Sequence, residues 1–201
     1  MKKILAVLTI ASALLLTGCS QTNEAASVGG FKISQTDLQA SIDAVIAERA
    51  KVDSSQMQLE TGDALNRGQL RFKILMHTFD EIAKELKIEV TSSDVEAKKA
   101  TITESVGGKT ELPKNLVNAA IAQADFDTYV RAIVISEQIT AALGAAGVAE
   151  EEIATKLGQL LTAKAKELGV KVNPRYGFWD AEVGDVVAAD VTGDAVAPSA
   201  K

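Results

Sequence analysis

The sequence predicts a mainly α-helical protein, and three observations carry that reading. Apolar side chains recur at steps of three and four through most of the chain, the period of one helix face. Only three prolines are present to interrupt helices. Aromatic residues make up 4% of the chain, so the core must be aliphatic, drawn from abundant Ala, Leu, Ile and Val. The length suits one domain.

The chain opens on Met1-Lys2-Lys3, a positive head, followed by an apolar run from Ile4 to Leu16 broken only by Thr9 and Ser12. A bilayer span takes about 20 apolar residues. This shorter run has the length and flanks of a secretion-signal core. It ends in Leu16-Thr17-Gly18-Cys19, which resembles the bacterial lipobox, where small residues admit the peptidase before a cysteine. The resemblance implies that residues 1–18 are a lipoprotein signal peptide. It further implies that Cys19, the sole cysteine, is lipidated and becomes the mature N-terminus. The protein would then sit on the outer face of a cell membrane, held through its lipid. In a bacterium with two membranes it would sit at the outer one, since Ser20 is not the inner-membrane retention Asp. A single cysteine allows no internal disulfide, so packing alone must stabilise the fold.

Residues 19–27 read as a lipidated tether, small and polar after Cys19. Val28-Gly29-Gly30-Phe31-Lys32-Ile33 reads as a short strand interrupted by a glycine turn. Ser34 with Asp37 makes a capping pattern for a helix with Leu38, Ile42, Val45 and Ile46 on its inner face. Lys51 to Gly62 is polar and reads as a loop. The strongest helical signal runs from about Ala64 to Leu86, with Leu65, Phe72, Leu75, Met76, Phe79, Ile82, Ala83 and Leu86 as its apolar stripe. At about 33 Å it is long enough to organise the other helices.

Thr91 with Asp94 caps the next helix, which Gly107-Gly108 ends. Pro113 suits the first turn of a helix carrying Leu116, Val117, Ala120 and Ile121. Asp125 opens a further one, with Phe126, Val130, Ile133, Val134 and Ile139 inward and Gly144 at its end. Glu150, Glu151 and Glu152 start the last helix, where negative charge complements the helix dipole. Ile153, Leu157, Leu160, Leu161 and Leu168 follow at helical spacing, and Gly169 caps them. Val170 to Gly177 reads as a strand ending in a turn. Residues 181–201 have neither aromatic side chains nor a steady period and read as a disordered tail.

Three segments resemble the N-terminal chaperone module of SurA-like and PrsA-like foldases. Val28-Gly29-Gly30-Phe31-Lys32-Ile33-Ser34 is similar to its opening strand and helix cap, with Gly29 where Asn is usual. Ile82 to Val95 resembles the junction between its helices. Val172-Asn173-Pro174-Arg175-Tyr176-Gly177-Phe178-Trp179-Asp180 resembles its closing strand. Together they bracket a domain at residues 28–180. The resemblance implies a compact helical module in which the strands at the two chain ends pair as a small antiparallel two-stranded ribbon. Many relatives carry a prolyl isomerase domain before the last helix. Here Gly144 to Ala149 leaves no room for it, which implies a holding module and no enzyme.

The residue chemistry agrees with a non-catalytic reading. Loss of residues 1–18 removes Lys2 and Lys3 and makes the balance two units more negative than the −6 of the whole chain. An acidic domain repels phosphate backbones and anionic lipid headgroups, so nucleic acid is not expected as a partner. His77 is the one histidine and has no recognisable nucleophile, which makes it a structural or surface residue. Glu150–Glu152 lacks the alternating ligands and glycine of a calcium loop. Neither glycine pair precedes the Lys-Ser/Thr of a phosphate loop. No metal or cofactor is expected.

The sequence therefore leads to a lipid-anchored, extracytoplasmic chaperone-like protein that holds unfolded or nascent exported polypeptides. Its candidate client contacts are Met57, Leu59, Phe126, Tyr176, Phe178 and Trp179. Tyr176 and Trp179 have the competing role of capping the core, which a small helical domain needs. An envelope scaffold for one dedicated partner is the alternative, and a prolyl isomerase ranks below both.

Overall fold

The computed structural model describes residues 23–189. The signal peptide, Cys19 and residues 190–201 of the assigned tail lie outside the described residues. Within them the fold is mainly helical, with a small antiparallel sheet built from strands near the two chain ends.

The first strand, β1, spans Glu24–Val28, and β2 spans Phe31–Ser34. They form a hairpin turning at Gly29-Gly30, with Val28 opposite Phe31. Gly29 sits at φ +61°, where a Cβ is strained. Its N–H reaches Leu168 O at 2.7 Å. Glu24–Ser27, read from sequence as part of a tether, belongs to strand β1. Ala25 and Ala26 are fully buried, because small side chains let the strand lie close against the helices. A composition of small residues looks like a linker in sequence and serves here as a packed strand.

Six helices follow: α1 Gln35–Arg49, α2 Gly62–Leu86, α3 Ser92–Ser105, α4 Leu112–Asn118, α5 Phe126–Ala145 and α6 Glu150–Leu168. Their ends follow local chemistry. The Ser34 hydroxyl accepts from Asp37 N–H at the start of α1. Thr91 and Asp94 form a reciprocal capping box at the start of α3. Gly169 ends α6 at φ +64°.

Long α2 is the centre, packing against α1, α5 and α6 and beneath β1. Its buried stripe is Leu65, Gln69, Leu70, Ile74, Thr78, Ile82 and Ala83. This corrects the predicted stripe: Leu86 is 49% exposed, and Phe72, Leu75, Met76 and Phe79 are only half-buried. On α1, Ile46 likewise faces solvent while Leu38, Ile42 and Val45 are buried. Arg131 of α5 ties the helices together, donating to Asp80 of α2 at 2.9 Å and to Val90 O at 3.0 Å.

The chain returns to the sheet as β3, Lys171–Val172, which pairs antiparallel with β1. The sheet order is β2-β1-β3, so the predicted two-stranded ribbon is a three-stranded sheet with the first strand in the middle. The fold does not end at Asp180. Strand β4, Phe178–Asp180, pairs with β5, Asp185–Val187, within the segment assigned to the tail. Val186 is buried in the same core as Ala25 and Leu70. Alternation over three residues is too short to register as a strand in sequence.

Candidate functional site

An open groove of about 570 Å³ lies between α1 and α2 and is bounded at one end by β2. Register explains its most prominent wall. Phe31 lies two residues from buried Ile33 and so shares the helix-facing side of the sheet. At the hairpin end it overhangs the groove, and it remains 45% exposed. From α2, Phe72 and Met76 line the groove one step of four apart, and Lys73 and His77 line it as an adjacent row of the same step. Ala40 and Ala44 of α1 keep the opposite wall low.

Asp37, Ser41 and Asp80 of the groove are already engaged. Asp37 takes the Ser34 hydroxyl at 2.7 Å, and this bond holds its carboxyl below the usual range. Asp80 is paired with Arg131. Ser41 donates to Gln69 Oε1 at 3.0 Å and approaches Asp125 at 3.4 Å. Gln69 in turn donates to Ala120 O at 2.7 Å. His77 stacks on Phe31, and its Nε2 lies 3.9 Å from Glu81. Burial pushes the imidazole pKa below its ordinary value, against the opposing pull of Glu81. Histidine 77 thus serves as a neutral wall of the groove.

The predicted contact residues do not converge here. Phe126 is 1% exposed and belongs to the core with Leu116, Ile121 and Val130, so it is corrected from surface contact to core residue. Tyr176 and Trp179 are half-buried and pack on the core beneath the sheet, the capping role weighed against client contact. Phe178 points the other way along β4 and is 52% exposed. Met57 and Leu59 are half-buried in the loop after α1, which Arg49 pins by donating to Glu60 O at 2.7 Å.

Sequence reasoning missed Phe31, Phe72, Met76 and His77 as a group because it assigned them to a strand, a core stripe and a bland histidine. The signal that could have joined them is the α2 stripe itself. It is wider than one helix neighbour can cover, which leaves part of it for a groove.

A second apolar depression, of about 830 Å³, lies where the end of α2 meets α5 and α6 and has Leu86 on its lining. Among the described residues no helix is long and apolar enough to cross a membrane. No cluster of three His, Cys, Asp or Glu side chains is placed among them to hold a metal ion. The groove offers apolar surface from Phe31, Phe72 and Met76 beside the paired Asp37, Ser41 and Asp80. No family model, no curated protein and no solved structure matches this chain.

Proposed function

We propose that this chain is a lipid-anchored, extracytoplasmic holding protein of the SurA and PrsA type, lacking the isomerase domain. It binds apolar segments of unfolded or nascent exported polypeptides. The observation that carries the reading is the groove beside Phe31, where a large aromatic side chain stays 45% exposed above other apolar walls. Phe31 stands with Phe72 and Met76 in one contiguous apolar surface, and a contiguous patch rather than a lone exposed ring supports a binding groove. The Met76 thioether can repack against varied partners. The lipobox-like Leu16-Thr17-Gly18-Cys19 supports the anchor, and the small residues Gly144 to Ala149 between α5 and α6 support a module without an inserted domain.

The test is suppression of aggregation of a chemically denatured model protein at stoichiometric amounts, with crosslinking in intact cells beside it. Suppression with a broad client set supports the reading. No suppression and no binding of unfolded peptides would overturn it, and one stable crosslinked partner would replace it with the scaffold.

A further inference from the structure

The outer face of the three-stranded sheet carries charge of opposite sign to the molecule as a whole. Lys32 of β2 and Lys171 of β3 both stand in register with Ser27 of β1, one row across the sheet. Side chains opposite one another in antiparallel strands share a face. The row of Ala26, Ile33 and Val172 is the one packed on the helices, so the lysine row faces outward. Arg175, just beyond β3, is exposed and donates to Gln35 Oε1 at 3.4 Å where α1 begins.

Glu24 is the acid among these cations. It pairs with Lys32 at 3.0 Å, and that bond holds its carboxyl below the usual range, with Lys171 adding to the effect. Asp37 lies on the groove side, held by Ser34. Three cations against one carboxylate thus surround the entry to β1, in a chain with 27 acidic and 21 basic residues. The acidic Glu150–Glu152 begins α6, whose other end adjoins the sheet through the Gly29–Leu168 hydrogen bond. The triplet stands about 27 Å away along the helix axis.

We infer that this sheet face docks on the anionic phospholipid headgroups of the membrane that carries the lipid on Cys19. The inference rests on the anchor reading above. Five residue steps separate Cys19 from Glu24, a reach of at most about 18 Å, so the sheet is the part of the body that stays near the bilayer. Each cation near an anionic surface favours docking about fivefold. This attraction decays within about 10 Å at moderate salt, which leaves the distant acidic triplet out of range. A tether alone would let the body tumble, whereas this asymmetry turns the sheet toward the headgroups.

The test uses the lipidated protein, whose Cys19 thiol is blocked. Pro174→Cys, beside the cations, or Glu151→Cys, at the far end of α6, carries a fluorophore. The protein is placed in vesicles of phosphatidylcholine, or of phosphatidylcholine with phosphatidylglycerol, each containing a headgroup quencher. The Pro174 probe should be quenched strongly only in the anionic vesicles, and the Glu151 probe in neither. The triple variant Lys32→Gln, Lys171→Gln, Arg175→Gln should lower the docked-to-undocked ratio about a hundredfold. Raising salt to about 1 M should do the same to the unaltered protein, whether or not the variant folds well. Equal quenching in both vesicle types, or equal quenching of the two probes, overturns the inference. Flotation separates the failures: protein that does not float with vesicles overturns anchor and docking together, while protein that floats without anionic preference overturns docking alone.

Discussion

Phe31 and His77 lie nearly parallel, with ring centroids 4.3 Å apart and planes inclined by 20°, and so join the hairpin to the central helix across the groove mouth. Burial lowers the His77 pKa in the fold, while Glu81 and Asp80 pull it up and Lys84 pulls it down. An unfolded histidine titrates near pH 6.5. Where the folded pKa is the lower one, this contribution to stability is fully present above about pH 6.5. It is lost as pH falls from there through the lower folded pKa, because the unfolded chain takes the proton first. The urea midpoint is expected to drop between about pH 7 and 5.5. His77→Phe, which can stack but cannot titrate, should flatten that interval. Identical slopes for the two proteins would remove His77 as the cause.

Phe31→Ala separates binding from stability. The side chain is half-exposed, so its loss should shift stability by no more than about 1 kcal/mol. Affinity for an unfolded apolar peptide should fall about tenfold, the order expected for one aromatic contact. Phe178→Ala is the control: it removes a comparably exposed ring outside the groove and should leave affinity unchanged. Peptide titration by fluorescence with parallel thermal melts reads both quantities. A loss confined to Phe178→Ala would move the site to the β4 surface.

Gln69→Leu should be more damaging than its conservative volume implies. Gln69 is 3% exposed and serves both Ser41 and the Ala120 carbonyl. Ala120 itself sits at φ +53°, a conformation that its neighbours must support. Each buried group left unpaired costs about 1–3 kcal/mol. Chemical denaturation should show a loss of that size, and a change under about 0.5 kcal/mol would show that the network contributes little.

Truncation after Asp180 tests where the domain ends. Removal of β5 withdraws Val186 from the core and uncovers Trp179, so a loss of about 2–4 kcal/mol is expected. Gly177→Ala should act in the same direction, since its Cβ would stand 2.0 Å from Val187 O at φ +116°. A true tail would tolerate both changes with an unaltered denaturation midpoint.

The helices were legible in the sequence because their signals are local. Ser34 with Asp37, Thr91 with Asp94, Pro113 and Gly169 act within a few residues of themselves, and each stands at or beside a helix end in the structure. The inner face of α2 was not legible. Gln69 and Thr78 look like solvent residues, yet Gln69 is satisfied by Ser41 and Ala120, and Thr78 bonds back to Ile74 O at 2.8 Å. The strands at the ends were obscured for another reason. Glu24–Val28 takes one of its two partners, β3, from far along the chain, and Asp185–Val187 is only three residues long, with Val186 buried in a core shared with the opposite chain end. The groove was hidden likewise, since Phe31 and His77 meet only through tertiary packing.

The position of β1 at the centre of its sheet has a consequence for the order of events during folding. Its flank toward β3 is closed by residues far along the chain, and Asn173 bonds Glu24 O across 149 positions of sequence. Closing so long a loop is entropically unfavourable and slow relative to local helix formation. The first strand to be synthesised must therefore wait, half-paired with β2, until nearly the whole chain has followed. The protein completes its own fold last at the end that is made first.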